Sequence, residues 1–422
     1  MEAVEYSRPP PLGRQEMTPR LAHLTTYLLL ACCVISRPAH AQYEVEKESS
    51  IWVRSLLDVR VVDGGPAASW TDRGPGKMRY GGSPADGGFE RATRLVLSQA
   101  ALQVGALLPW DVRARTQLNI EPDIAGNYRP WLVEATLRKE WGEAHRGWGL
   151  QGGAMNLPFS LENTGPAWTP AYTISASALN SWLWEDISLA GVEGEGWYVT
   201  RSGLRLGALA GAGYGGDQIG RILALRGWVM GDTLAGINGD LALPGRQDRT
   251  STFNDRDHRP AVYSWLSVGD AEEIASARLG VIDNRGDESS PGVWHTHFTT
   301  IGIVLHPYRR IDVLAQYLDG AARVRSPPND SAMSAFYALI SYHTLRQRVS
   351  VRYDSFRVRD LDGGTSPSTN EHGHAVTASY FIEIGLHSRI ALEQIWMHSY
   401  REAIGSVNPT PEGWQLSYRL RY

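Results

Sequence analysis

Arginine is the residue type whose number and spacing here point to chemistry. Of 41 basic residues only Lys47, Lys77 and Lys139 are lysines. Arg113, Arg115, Arg138, Arg205, Arg348, Arg352, Arg419 and Arg421 lie opposite apolar rows in alternating stretches. A guanidinium keeps its charge at any ordinary pH and grips carboxylate or phosphate through paired N–H donors. A ladder of them along a water-filled passage would steer anions or polar solutes. Acids accompany them, including Glu134, Asp312, Asp354 and Glu383, so ordinary paired polarity is the competing reading, and a GC-rich genome would enrich arginine anyway. A second group, Glu162, Asn163, Glu185 and Asp186, falls in the proline- and tryptophan-bearing stretch 156–187.

Other groupings carry less. His295-Thr296-His297 and His372-Gly373-His374 each place two imidazoles on one strand face, but no cysteine or third histidine is close by in the sequence. No metal site or cofactor is expected. Gly211-Ala212-Gly213-Tyr214-Gly215-Gly216 lacks a following helix with a phosphate-binding lysine and reads as a strand entering a turn. No Gly-x-Ser-x-Gly occurs, and no serine, histidine and acid fall at a readable spacing, so no catalytic residue is assigned and an enzyme is not expected.

The elements that must position these groups are strands. Trp414-Gln415-Leu416-Ser417-Tyr418-Arg419-Leu420-Arg421-Tyr422 alternates without a break, one face apolar and aromatic, the other polar. Similar runs recur along the chain from Ile51–Val62 onward and pair into sixteen strands. Their connections alternate: turns of a few residues, then long loops such as 63–90, 156–187, 215–260, Asp319–Ser334, Arg359–His374 and Tyr400–Gly413. Within 215–260, Ile222–Met230 is compatible with a strand or a short helix. A soluble sandwich has no reason to alternate its connections by length. An even-stranded membrane barrel has short periplasmic turns and long extracellular loops.

Composition agrees with export. Arg20, the apolar segment Leu24–Ile35 and Ala39-His40-Ala41 form a secretory signal peptide, with Met17 at the usual start position. Residues 1–41 are therefore read as leader, 1–16 as an upstream extension, and 42–422 as one barrel. Cleavage after Ala41 removes both cysteines, Cys32 and Cys33. A lipoprotein reading at Cys32 competes with it. The net charge of −4 does not suggest nucleic acid.

The layout of Gln42–Tyr422 and the terminal Tyr418-Arg419-Leu420-Arg421-Tyr422 resemble Gram-negative outer-membrane porins of the 16-stranded kind. The resemblance implies a closed all-β antiparallel transmembrane barrel in the outer membrane, assembled as a homotrimer among lipid and lipopolysaccharide. It also implies a C-terminal strand read by the outer-membrane assembly machinery and passive diffusion of small polar or anionic solutes. It makes 156–187 the constriction loop, its carboxylates facing wall arginines, with 215–260 as the competing candidate. A lipase-like barrel enzyme, with serine and histidine on the lipid-facing surface, and an assembly or secretion partner are the alternatives. No lipid-facing serine–histidine pair is legible in the sequence.

Overall fold

In a computed structural model, the described residues are 50–422 except 123–127, 235, 244–248, 271–273, 364–367, 405 and 408–411. The leader lies outside them. Sixteen long antiparallel strands close on themselves. They are β1 (Ile51–Gly64), β2 (Ala92–Leu108), β3 (Val112–Pro122), β4 (Tyr128–Glu143), β5 (Arg146–Asn156), β6 (Ser188–Val199), β7 (Leu204–Tyr214) and β8 (Ala261–Asp270). The second half comprises β9 (Ala275–Asp283), β10 (His295–Tyr308), β11 (Ile311–Arg325), β12 (Pro328–His343), β13 (Gln347–Asp360), β14 (Glu371–Ile384), β15 (Ser388–Arg401) and β16 (Glu412–Arg421). The seam is β1 against β16, with Leu56 opposite Arg421 and Asp63 opposite Trp414. Closure pairs every ladder group and removes the edge that lipid could not satisfy.

Exposed Leu137, Leu150, Val192, Leu266, Ile301, Ile340 and Leu416 belong to a band of apolar side chains spread over the outer surface. Soluble monomers rarely expose contiguous apolar patches beyond a few hundred Å². Hydrocarbon is the medium that suits this wall.

Toward the long-loop end of β10–β15 the alternation changes phase. Phe298, Leu318, Met333, Phe356, Val358 and Met397 point inward and are buried. His297, Asp319, Arg323, Arg357, Arg359, His372, His374 and His398 point outward and are exposed. This half of the wall is built like a soluble barrel, apolar inside and polar outside. The expected loop Asp319–Ser334 is accordingly strand for most of its length: β11 runs to Arg325 and β12 begins at Pro328. The length alternation fails at that one connection.

Three connections supply what the apolar inner wall packs against: loop A (65–91), loop B (157–187) and loop C (215–260). Loop B carries α1 (Ala178–Asp186) and loop C carries α2 (Arg221–Arg226). Ser177 caps α1, its hydroxyl accepting from the Asn180 N–H at 3.1 Å. Leu179, Trp182 and Leu183 share one helix face and are buried, as are Ile222 and Leu223 of α2. The Trp182 and Trp228 rings meet edge-on with centroids 5.8 Å apart. The long-loop half of the barrel therefore contains a packed core.

Candidate channel lining and its loop anchors

The inserted loops are held by buried charges from the wall. Arg352, on β13 and fully buried, reaches Glu162 Oε2 at 3.3 Å, Thr173 Oγ1 at 2.9 Å, the Ser175 carbonyl at 2.7 Å and the Ala176 carbonyl at 2.9 Å. Asp354 Oδ2, at 2.8 Å, orients its Nε. Glu393 on β15 accepts from the Ile174 and Ser175 N–H groups at 2.6 and 3.0 Å, and Asp354 accepts from the Ala178 N–H at 3.1 Å. Loop B backbone between 174 and 178 is irregular and buried, so its polar groups need such partners.

Loops A and C share two further anchors. Asp232 of loop C accepts from Arg60 of β1 at 2.5 Å and from Arg79 of loop A at 2.8 Å. Arg60 also pairs with Asp58 at 2.7 Å, and Arg79 with Glu121 at 3.1 Å. Burial alone would raise the Asp232 pKa, but the two guanidiniums hold it below the usual carboxylate range. Glu371 of β14 binds Lys77 at 2.7 Å, Arg401 at 3.0 Å and the Trp228 N–H at 3.2 Å. Burial pushes the Lys77 ammonium down to about 8, against the opposing pull of Glu371. Gly227, at φ 81°, passes so close that a Cβ would collide with the Glu371 carboxylate.

The residues singled out in the sequence separate into two groups. Glu162 is fully buried, pairs directly with Arg352 and accepts from the Ser177 N–H at 2.5 Å. Asn163 is committed to Ser160 and the Trp168 carbonyl. Glu185 makes a two-point pair with Arg226 at 2.8 and 2.6 Å. Asp186 ends α1, and its side chain lies outside the described residues. Arg419 is buried on Asp58 at 2.7 Å and Thr169. These contacts join loop to loop and loop to wall directly, with no water-filled gap between Glu162 and Arg352.

Arg113, Arg115, Arg138, Arg205, Arg348 and Arg421 instead lie toward the short-turn mouth. Arg205 is exposed beside the β6–β7 turn. Arg113 pairs loosely with Glu140 at 3.5 Å, Arg138 with Glu140 at 2.8 Å and with Glu195. Arg115 lies 3.4 Å from Glu134 and over the Trp168 ring. Arg348 bridges Asp312 at 2.7 Å beneath the Tyr172 ring, and Arg421 meets Glu383 at 2.5 Å. All of them but Arg205 border two cavities of about 710 and 590 Å³. The smaller is roofed by Thr164–Trp168 of loop B, and Arg54, Arg115, Arg346, Arg348, Arg389 and Arg421 line it with Glu383 as its one acid. Arg54, Arg346 and Arg389 had not been singled out: Arg54 and Arg389 sit one strand from chosen arginines, and Arg346 falls in a turn, where strand alternation gives no signal.

The imidazole pairs point outward. His295 is held by Asp283 at 3.0 Å and Glu288 at 3.2 Å. The register sets Ser355 beside His374, so an outward serine–histidine neighbour does exist where the sequence showed none. No hydrogen bond joins them among the described residues, and the ring stacked on His374 is His398 rather than a carboxylate. An activated nucleophile needs that base contact and its orienting partner. Asp217, Asp255 and Asp257 bring carboxylate oxygens within 4.8 Å of one another, but backbone N–H groups of Arg256 and Asp257 already occupy Asp217.

No protein-family model matches the chain, and neither does any curated protein. Solved structures do. An anion-selective porin from Comamonas acidovorans superposes with a TM-score of 0.53 at 12% identity, covering 89% of this chain and 100% of that one. The outer-membrane channel DcaP of Acinetobacter baumannii gives 0.53 at 11%, covering 88% and 97%. The fold is that of an outer-membrane porin. OmpT of Vibrio cholerae, an outer-membrane protein in its in-vitro folded trimer form, gives 0.50 at 8%, covering 88% and 99%. At these identities the porin fold alone is shared, and the lining residues are this chain's own.

Proposed function

We propose that the chain is an outer-membrane channel through which small anionic solutes diffuse passively, and that it is not an enzyme. The arginine-lined cavity of about 590 Å³ beneath loop B carries this reading. An acid-poor chamber at low local dielectric concentrates anions and repels cations. The close packing of loops A, B and C above it supports a narrow, solute-selective passage rather than a wide general pore. Export through residues 1–41, a homotrimeric assembly and recognition of the β16 strand by the assembly machinery belong to the same proposal. They rest on the leader pattern, on the porin fold and on the alternation that ends at Tyr422.

Planar-bilayer recording on purified protein tests it. Conductance steps with an anion-selective reversal potential in a KCl gradient are expected. Arg115→Gln with Arg348→Gln should move that potential severalfold toward cation preference. Absence of steps, or cation selectivity in the native protein, would end this reading.

A further inference from the structure

Three histidines from two strands meet on the outer surface of the barrel, where no transported solute passes. His372 and His374 stand two residues apart on β14, so both side chains project from the same face. The register sets His398 of β15 directly opposite His374, and Tyr400 opposite His372. His372, His374 and His398 are all exposed. The His374 and His398 rings stack with centres 5.5 Å apart, and the His372 ring lies 5.4 Å from that of Tyr400. Opposed side chains on neighbouring strands start about 5 Å apart and diagonal ones about 7–8 Å, within reach of a ring. His372 is diagonal to His398, so the three imidazoles close a triangle. His372-Gly373-His374 lacked a third imidazole nearby in the sequence, and the strand pairing supplies it.

The surroundings leave these rings free. None of the three makes a hydrogen bond or an ion pair among the described residues, and their neighbours across β13 are Ser355 and Arg357 rather than acids. Behind them Phe356, Ala375 and Met397 are buried inside the barrel, so the strands that carry the triangle are backed by packed core. His295-Thr296-His297 has the same spacing but a different setting. Both ring nitrogens of His295 are taken, by Asp283 at 3.0 Å and Glu288 at 3.2 Å. The cross-strand neighbours there are Asp283, Ala321 and Arg323, with no third imidazole.

We propose that His372, His374 and His398 form a surface site for one divalent transition-metal ion of the zinc and copper class. Neutral imidazole is a ligand these ions favour, and three of them with a water complete a tetrahedral zinc shell. Two nitrogens each about 2.0–2.1 Å from one ion stand at most about 4 Å apart. Rings with centres 5.5 Å apart meet that limit by turning toward each other, and no hydrogen bond has to break for them to turn. The donor set excludes calcium and magnesium, which require oxygen ligands. Arg357, in register with His372, repels any cation, so the ion has to be one held by coordinate bonds rather than by charge.

Calorimetric zinc titration of the full-length barrel in detergent, after treatment with a chelator and its removal, tests this, and paramagnetic resonance of bound Cu²⁺ identifies the donors. One ion per barrel is expected, with hyperfine structure from imidazole nitrogen. His374→Gln with His398→Gln should abolish binding, and His372→Gln should weaken it by about tenfold or more. Both variants should keep the heat-modifiable gel mobility of the native barrel. Arg357→Gln removes a repulsion acting over about 8 Å and should tighten binding about two- to fivefold, a gain that a merely structural arginine would not give. His295→Gln with His297→Gln should leave affinity and stoichiometry unchanged. The proposal is overturned if the native barrel takes up no zinc, or if binding survives the loss of His374 and His398. Dependence on His295 and His297 instead, or displacement of zinc by an equal concentration of Mg²⁺, overturns it as well.

Discussion

Removing Arg352 should unseat loop B without unmaking the barrel. Its guanidinium contacts six acceptors: Asp354 and Thr377 on the wall, and Glu162, Thr173, Ser175 and Ala176 on the loop. In Arg352→Ala the Glu162 carboxylate stays buried with only the Ser177 N–H and the Asn180 side chain, at 2.5 and 3.0 Å. Breaking a buried ion pair from one side costs about 3–5 kcal/mol. Two carbonyls left bare would each add about 1–3 kcal/mol. Water entering a loosened loop offsets part of this, so about 3 kcal/mol is a fair net figure, or roughly a hundredfold in the equilibrium between seated and released loop. The ladder of β13 with β12 and β14 is backbone-made and untouched.

The assay pairs limited proteolysis within 157–187 on the folded barrel with single-channel conductance. Nicking should rise by about two orders of magnitude at limiting protease, where cleavage follows the open population, and open-channel current should grow. Arg352→Lys, which keeps the charge but loses the fork, should fall between. Glu162→Gln should be milder than Arg352→Ala, because Asp354 still balances the guanidinium, and the double variant should cost less than the sum. If assembled Arg352→Ala matches the native protein within twofold in both nicking and current, the arginine does not anchor the loop and the reasoning fails.

Three further outcomes follow from the same anchors. Asp232→Asn leaves Arg60 and Arg79 facing each other with one compensating charge fewer, so loops A and C should become protease-sensitive and the thermal midpoint should drop. Lys77 binds fewer protons when seated than when released between its folded pKa of about 8 and its free value of 10.5. Seating of loop A therefore strengthens as pH rises through that window, proteolytic nicking within loop A should become slower, and Lys77→Met should flatten the dependence. The backbone of Tyr422 exchanges two hydrogen bonds with Ser55, at 2.8 and 2.9 Å, across the closing seam, and its ring stacks on His387. Deleting it should lower the yield of heat-modifiable barrel while leaving the conductance of molecules that do assemble unchanged.

The strand pairs were legible because lipid imposes a two-residue period on the outer face, and that period survives in any sequence long enough to cross. Trp414–Tyr422 shows it most cleanly. Legibility fails where the constraint changes. In Asp319–Ser334 the apolar residues Ala322, Val324 and Met333 face inward, so the same period is present in opposite phase and with smaller side chains. Helix α1 carried a readable signal in Ser177 followed by Leu179, Trp182 and Leu183, which the surrounding prolines and glycines obscured. The roles of Arg352 and Arg419 were not readable at all. Alternation tells which face an arginine is on, but not whether water or an inserted loop meets it there.

That inverted phase also limits how a solute can pass. If loops A, B and C left the barrel together, Phe298, Leu318, Met333, Phe356, Val358 and Met397 would face water along with the apolar sides of α1 and α2. At about 1.5–3 kcal/mol for each large buried side chain, the cost reaches tens of kcal/mol, far beyond what thermal motion or a weak solute supplies. Wholesale ejection is thus excluded as a transport step. The movable part has to be one whose contacts are polar and few, and which already borders the arginine chamber. Residues Thr164–Trp168 come nearest to that description: they roof the cavity, and Ala167 is their one fully buried apolar side chain, packed on Leu56 and Ala101, while Trp168 is held by Glu134 through its indole N–H at 3.0 Å, by stacking with Arg115 and by the Trp184 ring at 5.2 Å. Passage by displacement of this short segment, with Arg352 keeping the rest of loop B in place, reconciles a packed upper lumen with a diffusion channel. It also explains why the anchor and the chamber arginines are different residues.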